Sequence, residues 1–377
     1  MKPRVLFVAR TRYRLPLSQT LERRFAALSA QLDWHQLGSA ADGRPVRTER
    51  FTLYGRFPLR RLDGMLFYAR LPLRIARAIR RHCPDVVVVQ GAQDTALSLA
   101  ARRLAGVRVP VVFDVHGDWR NDTRVYGSRL RRLISPVTDA LARYGVRHAD
   151  GVRTVSTFTT SLVRAEGVQP AAVFPAYMDL APFTDRPRVP LPERPAALFV
   201  GVLERYKGVD VLTDAWRDVA RQVPDAELHV VGKGPLSDVV EKLVAAFPGR
   251  VRWTPELSTD GVVEALDDAT ALVLPSRGEG MGRVVVEAFC RGRAVVGTAA
   301  GGIPDLVENG ASGLLVPVED AKALADALVR VLGDGDLAGR LGAGAAAAAP
   351  AWIATPDEFA GRMRRLIEDV LRGNAGA

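Results

Sequence analysis

Glu279 and Glu287 bracket a run in which Gly278, Gly280 and Gly282 leave three positions without side chains. Glycines there let backbone N–H groups approach an anion, and the helix that begins near Val284 turns its positive end towards the same point. A diphosphate suits such a place. A carboxylate accepts paired hydrogen bonds, so each glutamate can hold neighbouring hydroxyls of a sugar or ribose. The same spacing also fits a plain strand, turn and helix with Glu287 as a solvated charge. Spacing alone leaves both readings open.

Two further strand-to-helix turns have the same character. Phe199-Val-Gly-Val-Leu-Glu-Arg-Tyr-Lys-Gly208 runs from a strand through a basic turn into a helix from Val209, where Arg205 and Lys207 could neutralise a departing phosphate. Val231-Gly-Lys-Gly-Pro-Leu236 repeats the geometry. On the C-terminal edges of parallel strands, three such loops would converge on one crevice. Any one of them alone is ordinary punctuation between a strand and a helix.

The elements that would carry these loops alternate along nearly the whole chain. Strands are expected at Val5 to Ala9, Val86 to Gln90, Val111 to His116, Gly151 to Val155, Ala172 to Phe174, Ala197 to Val200, Glu227 to Val231, Val251 to Trp253, Ala271 to Leu274 and Ala294 to Gly297. Helices are expected at Leu17 to Gln31, Thr95 to Ala105, Val209 to Gln222, Leu236 to Ala246 and Ala321 to Leu332. This is the pattern of parallel sheets covered on both faces. A chain of 377 residues, 48% of them apolar, is too long for one ordinary core. The expected division is an N-terminal domain over 1–183, a linker over 184–195, a second domain over 196–350 and a helical segment over 351–377. Five prolines between Pro182 and Pro195 mark the linker. The final amphipathic segment, Pro356 to Arg372, could complete the second domain or cross back to the first. Ala343 to Ala349 reads as a short helical or loose surface patch.

At this point the ordered set Gly201-x5-Lys207-Gly208, Gly232-Lys-Gly-Pro235, Glu279-x7-Glu287 and Gly301-Gly-Ile-Pro-Asp-Leu-Val-Glu-Asn-Gly310, followed by Gly313-Leu-Leu-Val-Pro317, resembles the family 4 retaining glycosyltransferases. The resemblance covers most of residues 196 to 320. It implies the GT-B fold, an α/β architecture of two doubly wound Rossmann-like domains facing across a cleft, with a nucleotide-diphosphate sugar as co-substrate. It further implies Glu287 on the ribose hydroxyls, Glu279 on the donor sugar, and Lys207 with the backbone of Gly280, Met281 and Gly282 on the diphosphate. Gly201 and Gly232 would line the donor site, and Gly301, Gly302 and Ile303 would lie beside the sugar. In the first half, Asp114-Val-His116-Gly-Asp-Trp119 looks like the family's histidine-bearing loop, which places His116 by the reacting carbon. Val155-Ser156 resembles its short strand-serine element.

Two departures stand out. Arg10-Thr-Arg-Tyr-Arg-Leu-Pro16 contains no glycine where relatives carry a paired-glycine loop, so contacts of that loop do not carry over. Val202 stands where relatives commonly place an arginine, and Arg205 is the candidate to supply the charge from the next turn. The only adjacent carboxylates, Asp267 and Asp268, lack a strand-loop setting, so no metal and no cofactor are expected. The family's chemistry implies an oxocarbenium-like state, with the departing phosphate oxygen taking the acceptor's proton.

Composition bounds the partners. The formal charge is +10, and residues 1–185 hold 30 Lys/Arg against 15 Asp/Glu while the remainder is mildly acidic. The stretch from Arg56 to Arg81 interleaves arginines with Leu59, Leu62, Met65, Leu66, Phe67, Leu71 and Ile75, and Trp119 to Arg132 adds more. Such a face can lie on an anionic bilayer, or it can be the solvated side of a core helix. The acceptor is expected to be a sugar, a lipid-linked glycan or a small molecule bearing a hydroxyl. No run reaches membrane-spanning length and no leader is apparent, which suggests a cytosolic protein, peripheral on the membrane if the basic face binds it. Cys83 and Cys290 are expected to be small buried residues. No G-x-G-x-x-G follows the first strand, which weighs against a dinucleotide oxidoreductase. The arginines lack an aromatic RNA-binding signature, which weighs against nucleic acid. A GT-B epimerase or a non-catalytic partner is the remaining alternative.

Overall fold

The computed structural model describes residues 1–56, 63–120 and 129–375. It divides into two compact units: Met1–Tyr177 together with the chain from Ala354 onward, and Met178–Ile353.

In the first unit the order is β1 (Arg4–Tyr13), α1 (Gln19–Gln31), β2 (Asp33–Ala40), β3 (Val46–Arg47), β4 (Phe51–Tyr54), α2 (Asp63–His82), β5 (Val86–Val89) and α3 (Ala92–Ala105). Then come β6 (Val111–Val115), α4 (Arg129–His148), β7 (Gly151–Thr154), α5 (Thr157–Arg164) and β8 (Ala172–Val173). The sheet runs β3-β4-β2-β1-β5-β6-β7-β8 and is parallel except for the β3–β4 pair. β5 is four consecutive valines, all buried, as a strand covered on both faces must be. One face packs Leu6, Val8, Val87 and Val89 under Phe67, Leu71 and Ile75 of α2. The other carries Val5, Phe7, Val86 and Val88.

The second unit contains α6 (Ala181–Thr184), β9 (Ala196–Val200), α7 (Val209–Gln222), β10 (Glu227–Val231), α8 (Ser237–Ala246), β11 (Val251–Thr254), α9 (Thr259–Asp267) and β12 (Ala271–Leu274). It continues through α10 (Arg283–Cys290), β13 (Ala294–Thr298), α11 (Ile303–Leu306), β14 (Gly313–Val316), α12 (Ala321–Gly333) and α13 (Gly335–Ala348). Its sheet is parallel throughout, in the order β11-β10-β9-β12-β13-β14. In both sheets the chain first winds one way and then restarts on the other side of its first strand. The reversals fall between β1 and β5 and between β9 and β12, and such switch points are where doubly wound sheets open a binding crevice.

The last helix, α14 (Pro356–Ala375), packs Phe359, Met363, Leu366, Ile367 and Val370 into the first unit's core beside Val5 and Phe7. Gly151 leaves room for it, since a Cβ there would sit 2.5 Å from a methyl of Val370.

Several local expectations are corrected. β1 does not end at Ala9 but continues to Tyr13, regaining β2 through Arg12↔Ser39 and Tyr13↔Ala40 after a register shift. The first loop is therefore largely strand. Cys83 is exposed, in the left-handed region at the end of α2, whereas Cys290 is buried. Of the two readings of Ala343 to Ala349, the helical one holds: α13 runs through Ala348, with Ala345 and Ala349 buried and Ala343 and Ala347 exposed. A Cβ at Gly342 or Gly344 would overlap the backbone of Gly292 or Ala311, so small residues let this helix lie directly on the neighbouring chain.

The proline-rich stretch is not a free linker either, since the units divide at Tyr177/Met178 and 184–195 belongs to the second. Two buried arginines after α10 explain this. Arg291 is bidentate to Asp267 at 2.8 and 2.9 Å and also donates to the carbonyls of Phe183, Arg186 and Pro187. Arg293 donates to Leu266, Asp267 and Pro190. Prolines cannot donate, but their carbonyls accept. Among the described residues no helix is long and apolar enough to cross a membrane.

Removing one partner of a buried charge pair leaves the other unpaired, at a cost of about 3–5 kcal/mol. Arg291→Met is expected to lower unfolding stability by about that amount and to open 183–190 to limited proteolysis. Denaturant unfolding and cleavage mapping check both.

Candidate functional site

In the second unit β9 and β12 lie side by side at the switch point, so the loops that follow them meet. After β9 the chain makes a 3-10 turn at Arg205–Lys207 and enters α7 through Gly208, whose φ is +68°. A Cβ at Gly208 would overlap the Pro275 carbonyl, so only glycine brings the turn this close to the loop after β12. The consequence is a contact between residues 72 apart in sequence: the Lys207 Nζ lies 2.5 Å from Oε1 of Glu279. Both side chains are largely buried, at 14% and 11% exposed. Ser276 Oγ donates to the same Oε1 at 2.9 Å, so Glu279 is oriented from two sides, and Oε2 has no hydrogen bond among the described residues.

Arg277 ties the loop down. Its guanidinium is bidentate to Asp210 at the start of α7, at 2.8 and 3.0 Å. Nε meets Glu319 at 2.6 Å, and Nη1 reaches the Arg205 carbonyl. On the other side, the N–H of Gly302 donates to the Glu279 carbonyl at 2.8 Å. Side chains at Gly301 and Gly302 would collide with the backbone of Glu279 and Gly280.

Each residue singled out above can now be placed. Gly232, at φ +142°, lies against the Gly201 carbonyl, which a Cβ would overlap. Gly280, Met281 and Gly282 lead into α10, with Gly282 at φ +80° and Met281 buried. Ile303 is fully buried, its side chain packed against Gly282 and Gly297, so it supports the loop from inside. Glu287 is nearly buried on the first turns of α10 and pairs with Arg283 at 3.1 Å. Burial pushes its carboxyl up, and the Arg283 charge opposes the shift. Arg205 is exposed and its guanidinium makes no ion pair among the described residues, while Val202 is 45% exposed beside it.

His116 lies in the first unit, just past β6. Its Nε2 is 2.9 Å from Oδ2 of Asp114, and Arg153 Nη1 is 2.5 Å from Oδ1. Burial alone would raise the Asp114 carboxyl, but the Arg153 charge, then His116 and their hydrogen bonds, hold it far below the usual carboxylate range. Ionised, Asp114 only accepts, so Nε2–H donates and Nδ1 of a neutral ring keeps its lone pair. Arg153 is fully buried, lies 4.0 Å from the Phe174 ring centroid and donates to the carbonyls of Phe174 and Pro175. Ser156 caps α5, accepting from the Thr159 N–H at 3.1 Å.

Ser276, Arg277, Asp210, Arg283, Asp114 and Arg153 were not singled out from sequence. Arg283 and Glu287 carry a signal in their i,i+4 spacing, and an arginine inside β7 is another. Nothing local links Arg277 to Asp210.

Asp114→Asn strips the buried Arg153 of its charge partner and is expected to cost about 3–5 kcal/mol. The folded carboxyl is depressed, so this stability is present above the unfolded value, near 3.8, and is lost as pH falls below it. Thermal unfolding from pH 7 to pH 3 should show the variant losing its deficit only at the acid end.

Comparison with known proteins gives the family and the fold. The signature of the "Glycosyl transferases group 1" family matches residues 194–334, and that of the "Glycosyl transferase 4-like domain" matches residues 6–176. The chain is 30% identical over 328 residues to a GDP-mannose-dependent alpha-(1-6)-phosphatidylinositol monomannoside mannosyltransferase of Mycobacterium tuberculosis, covering 81% of this chain and 80% of that one. It is 29% identical over 319 residues to the alpha-D-kanosaminyltransferase of Streptomyces kanamyceticus, covering 79% of each. Among solved structures, sucrose-phosphate synthase from Thermosynechococcus elongatus superposes with a TM-score of 0.78 at 18% identity, over 99% of this chain and 100% of that one. Anabaena HepE in complex with UDP-glucose gives 0.70 at 17% identity, over 98% and 100%. These two share the fold, which is GT-B. With both units matched and a curated relative covered over four-fifths of its length, the chain belongs to the group 1 glycosyltransferases, enzymes that use sugar-nucleotide donors.

Proposed function

We propose that this enzyme binds a nucleotide-diphosphate sugar on the second unit and transfers the sugar, with retention of anomeric configuration, to a hydroxyl of a glycan, lipid-linked or small-molecule acceptor. The observation that carries the reading is the Lys207–Glu279 pair at the β9/β12 switch point, flanked by the glycine loop and Glu287. Lys207 and the amides leading into α10 take the diphosphate, so positive charge lies where negative charge develops on the leaving group without calling on a metal. Glu287 receives ribose hydroxyls and Glu279 the donor sugar. The bond from the anomeric carbon to the phosphate oxygen breaks as the acceptor oxygen bonds to that carbon from the same face. The acceptor's proton passes to the departing phosphate oxygen, and a nucleoside diphosphate is released.

Glu287→Ala is expected to weaken nucleotide binding by roughly 10-fold or more, the loss of a charged hydrogen-bonding group. Glu279→Ala and His116→Ala should reduce transfer more than binding. Ligand-induced thermal stabilisation by UDP-, GDP- and ADP-sugars, alongside nucleotide release, separates the two effects. Unchanged transfer in all three variants would refute the site.

A peripheral position on an anionic membrane surface is the companion reading, and α2 supports it. Met65 and Leu73 are exposed on this helix at 63% and 52%, and Arg70, Arg77 and Arg81 are exposed with them. Residues 57–62 of the basic stretch, and 121–128 of the second one, lie outside the described residues. The mannosyltransferase relative acts on a phosphatidylinositol monomannoside, which is compatible with work at a membrane. In co-sedimentation, vesicles containing phosphatidylglycerol should retain the protein and phosphatidylcholine vesicles should not, with retention falling at high salt. Equal partitioning counts against the membrane reading.

A further inference from the structure

Glu279 holds Lys207 by its ammonium, and another residue of the same loop holds the backbone around it. Arg277 donates its own N–H to the Tyr206 carbonyl at 2.7 Å and reaches the Arg205 carbonyl with Nη1, so it grips the two residues that precede Lys207. Beyond Lys207, the Asp210 carboxylate takes Nη1 and Nη2 at 2.8 and 3.0 Å. Nε meets Glu319, in the loop after β14, at 2.6 Å, and Glu319 keeps a φ of +62° that residues other than glycine seldom adopt. The Arg277 side chain is 17% exposed.

The sheet does not need this clasp. β9 and β12 already pair through Ala197↔Ala271 and Leu198↔Leu272, and Leu203 and Val209 are fully buried on either side of the turn. The 3-10 turn Arg205–Lys207 between them has no buried residue, so apolar packing does not decide where it stands. Polar contacts do, and Arg277 supplies them before and after Lys207. Burial alone would raise the Asp210 carboxyl, but the hydrogen bonds and charge of Arg277 hold it below its usual value, so the pair stays ionised at neutral pH.

We infer that Arg277 is a positioning residue for sugar transfer: its fork fixes the turn so that the Lys207 ammonium stands where charge develops on the departing diphosphate. The inference rests on the glycosyltransferase reading and adds a residue that acts on the reaction through Lys207. A misplacement of ~1 Å at such a group can cost about 100-fold in rate. The fork matters as well as the charge, because a lysine presents a point charge on one nitrogen and does not span Asp210, Glu319 and the Arg205 carbonyl together.

The test is a double-mutant cycle in the full chain, with Arg277→Lys made in the wild type and in Lys207→Met. Nucleotide release is followed from whichever of UDP-glucose, GDP-mannose and ADP-glucose the wild type turns over, and thermal stabilisation by the same compound reports donor binding. In the wild-type background Arg277→Lys is expected to lower kcat about 10-fold or more while the donor KM changes by less than about threefold, the split that follows from a contact strengthened in the transition state. In the Lys207→Met background the same substitution should change kcat by less than about twofold, because the group it positions is gone. Asp210→Asn opens the clasp from α7 and should give the same two results, which carries the test if Arg277→Lys does not fold. A loss of equal size in both backgrounds, a loss confined to KM, or wild-type kcat in both clasp variants overturns the inference, since a merely structural clasp would act whether or not Lys207 is present. Failure of both variants to fold overturns it too, because the clasp would then belong to the fold and not to the turn. A wild type that neither binds nor turns over any of the three donors overturns the glycosyltransferase reading itself, and the inference with it.

Discussion

An ammonium and a carboxylate held 2.5 Å apart at low exposure are the contact around which the second unit is arranged. Two charges taken out of water are tolerated only with close geometry and further hydrogen bonds. To bring Lys207 onto Glu279, β9 and β12 must be neighbours, which forces the reversal in strand order. Gly208 must lie against Pro275, and Gly301 and Gly302 against the backbone of Glu279 and Gly280. The Arg277 clasp then joins the two loops a second time, through Asp210 and the Arg205 carbonyl, away from the pair itself. Under the proposed donor reading, a diphosphate bound here would meet a cation already in place, with little reorganisation left for the moment of reaction.

The first unit shows the opposite economy of charge on one sheet. Asp114 and Asp94 both follow or end buried strands near the C-terminal edge. Asp114 is locked between Arg153 and His116, and its geometry serves to fix the imidazole tautomer. Asp94 has no such lock. The difference comes from one residue, since Arg153 projects from β7 and reaches its neighbour on β6. A buried group satisfied within the protein contributes to its stability, and one left unsatisfied keeps its desolvation cost.

Elements with a strong period and clear punctuation were legible from the sequence. α7 runs from Val209 to Gln222 as its spacing required, because Val209, Leu212, Trp216 and Val219 all face the core and Gly208 sets its start. β2 was not legible. Its interior holds His35 and Gln36, buried because the imidazole reaches Glu49 and Thr52 and the amide reaches the Leu37 carbonyl, and polar residues of this kind hide a strand. β1 was cut short for a similar reason, since Arg10-Thr-Arg-Tyr reads as a loop until its pairing with Ser39 and Ala40 is known. At the site, the glycine loops stand out through local spacing, which leaves Glu287 open between a ligand residue and a solvated charge. Lys207, Glu279 and Glu287 gain weight only as members of an ordered series, and the Arg277–Asp210 pair, 67 residues apart, has no local signature at all.

The same long-range pairing limits what composition says about partners. An excess of arginine over acid in the first half suggests a surface made for anions, yet many of these arginines are committed inside the unit. Arg153 is fully buried, Arg102 binds Asp150, Arg50 binds Asp33 and the Trp34 carbonyl, and Arg4 is paired with Asp85. Each such contact removes a cation from the field that a distant ligand would feel. What is left is uneven, and exposed arginines and exposed apolar side chains occur together on α2, on α4 with Val137, Arg143, Tyr144 and Arg147, and at the end of α3 with Arg103 and Leu104. Net charge therefore counts residues without regard to where they point, and only the folded arrangement separates the cations that hold the sheet together from those that can meet an anion.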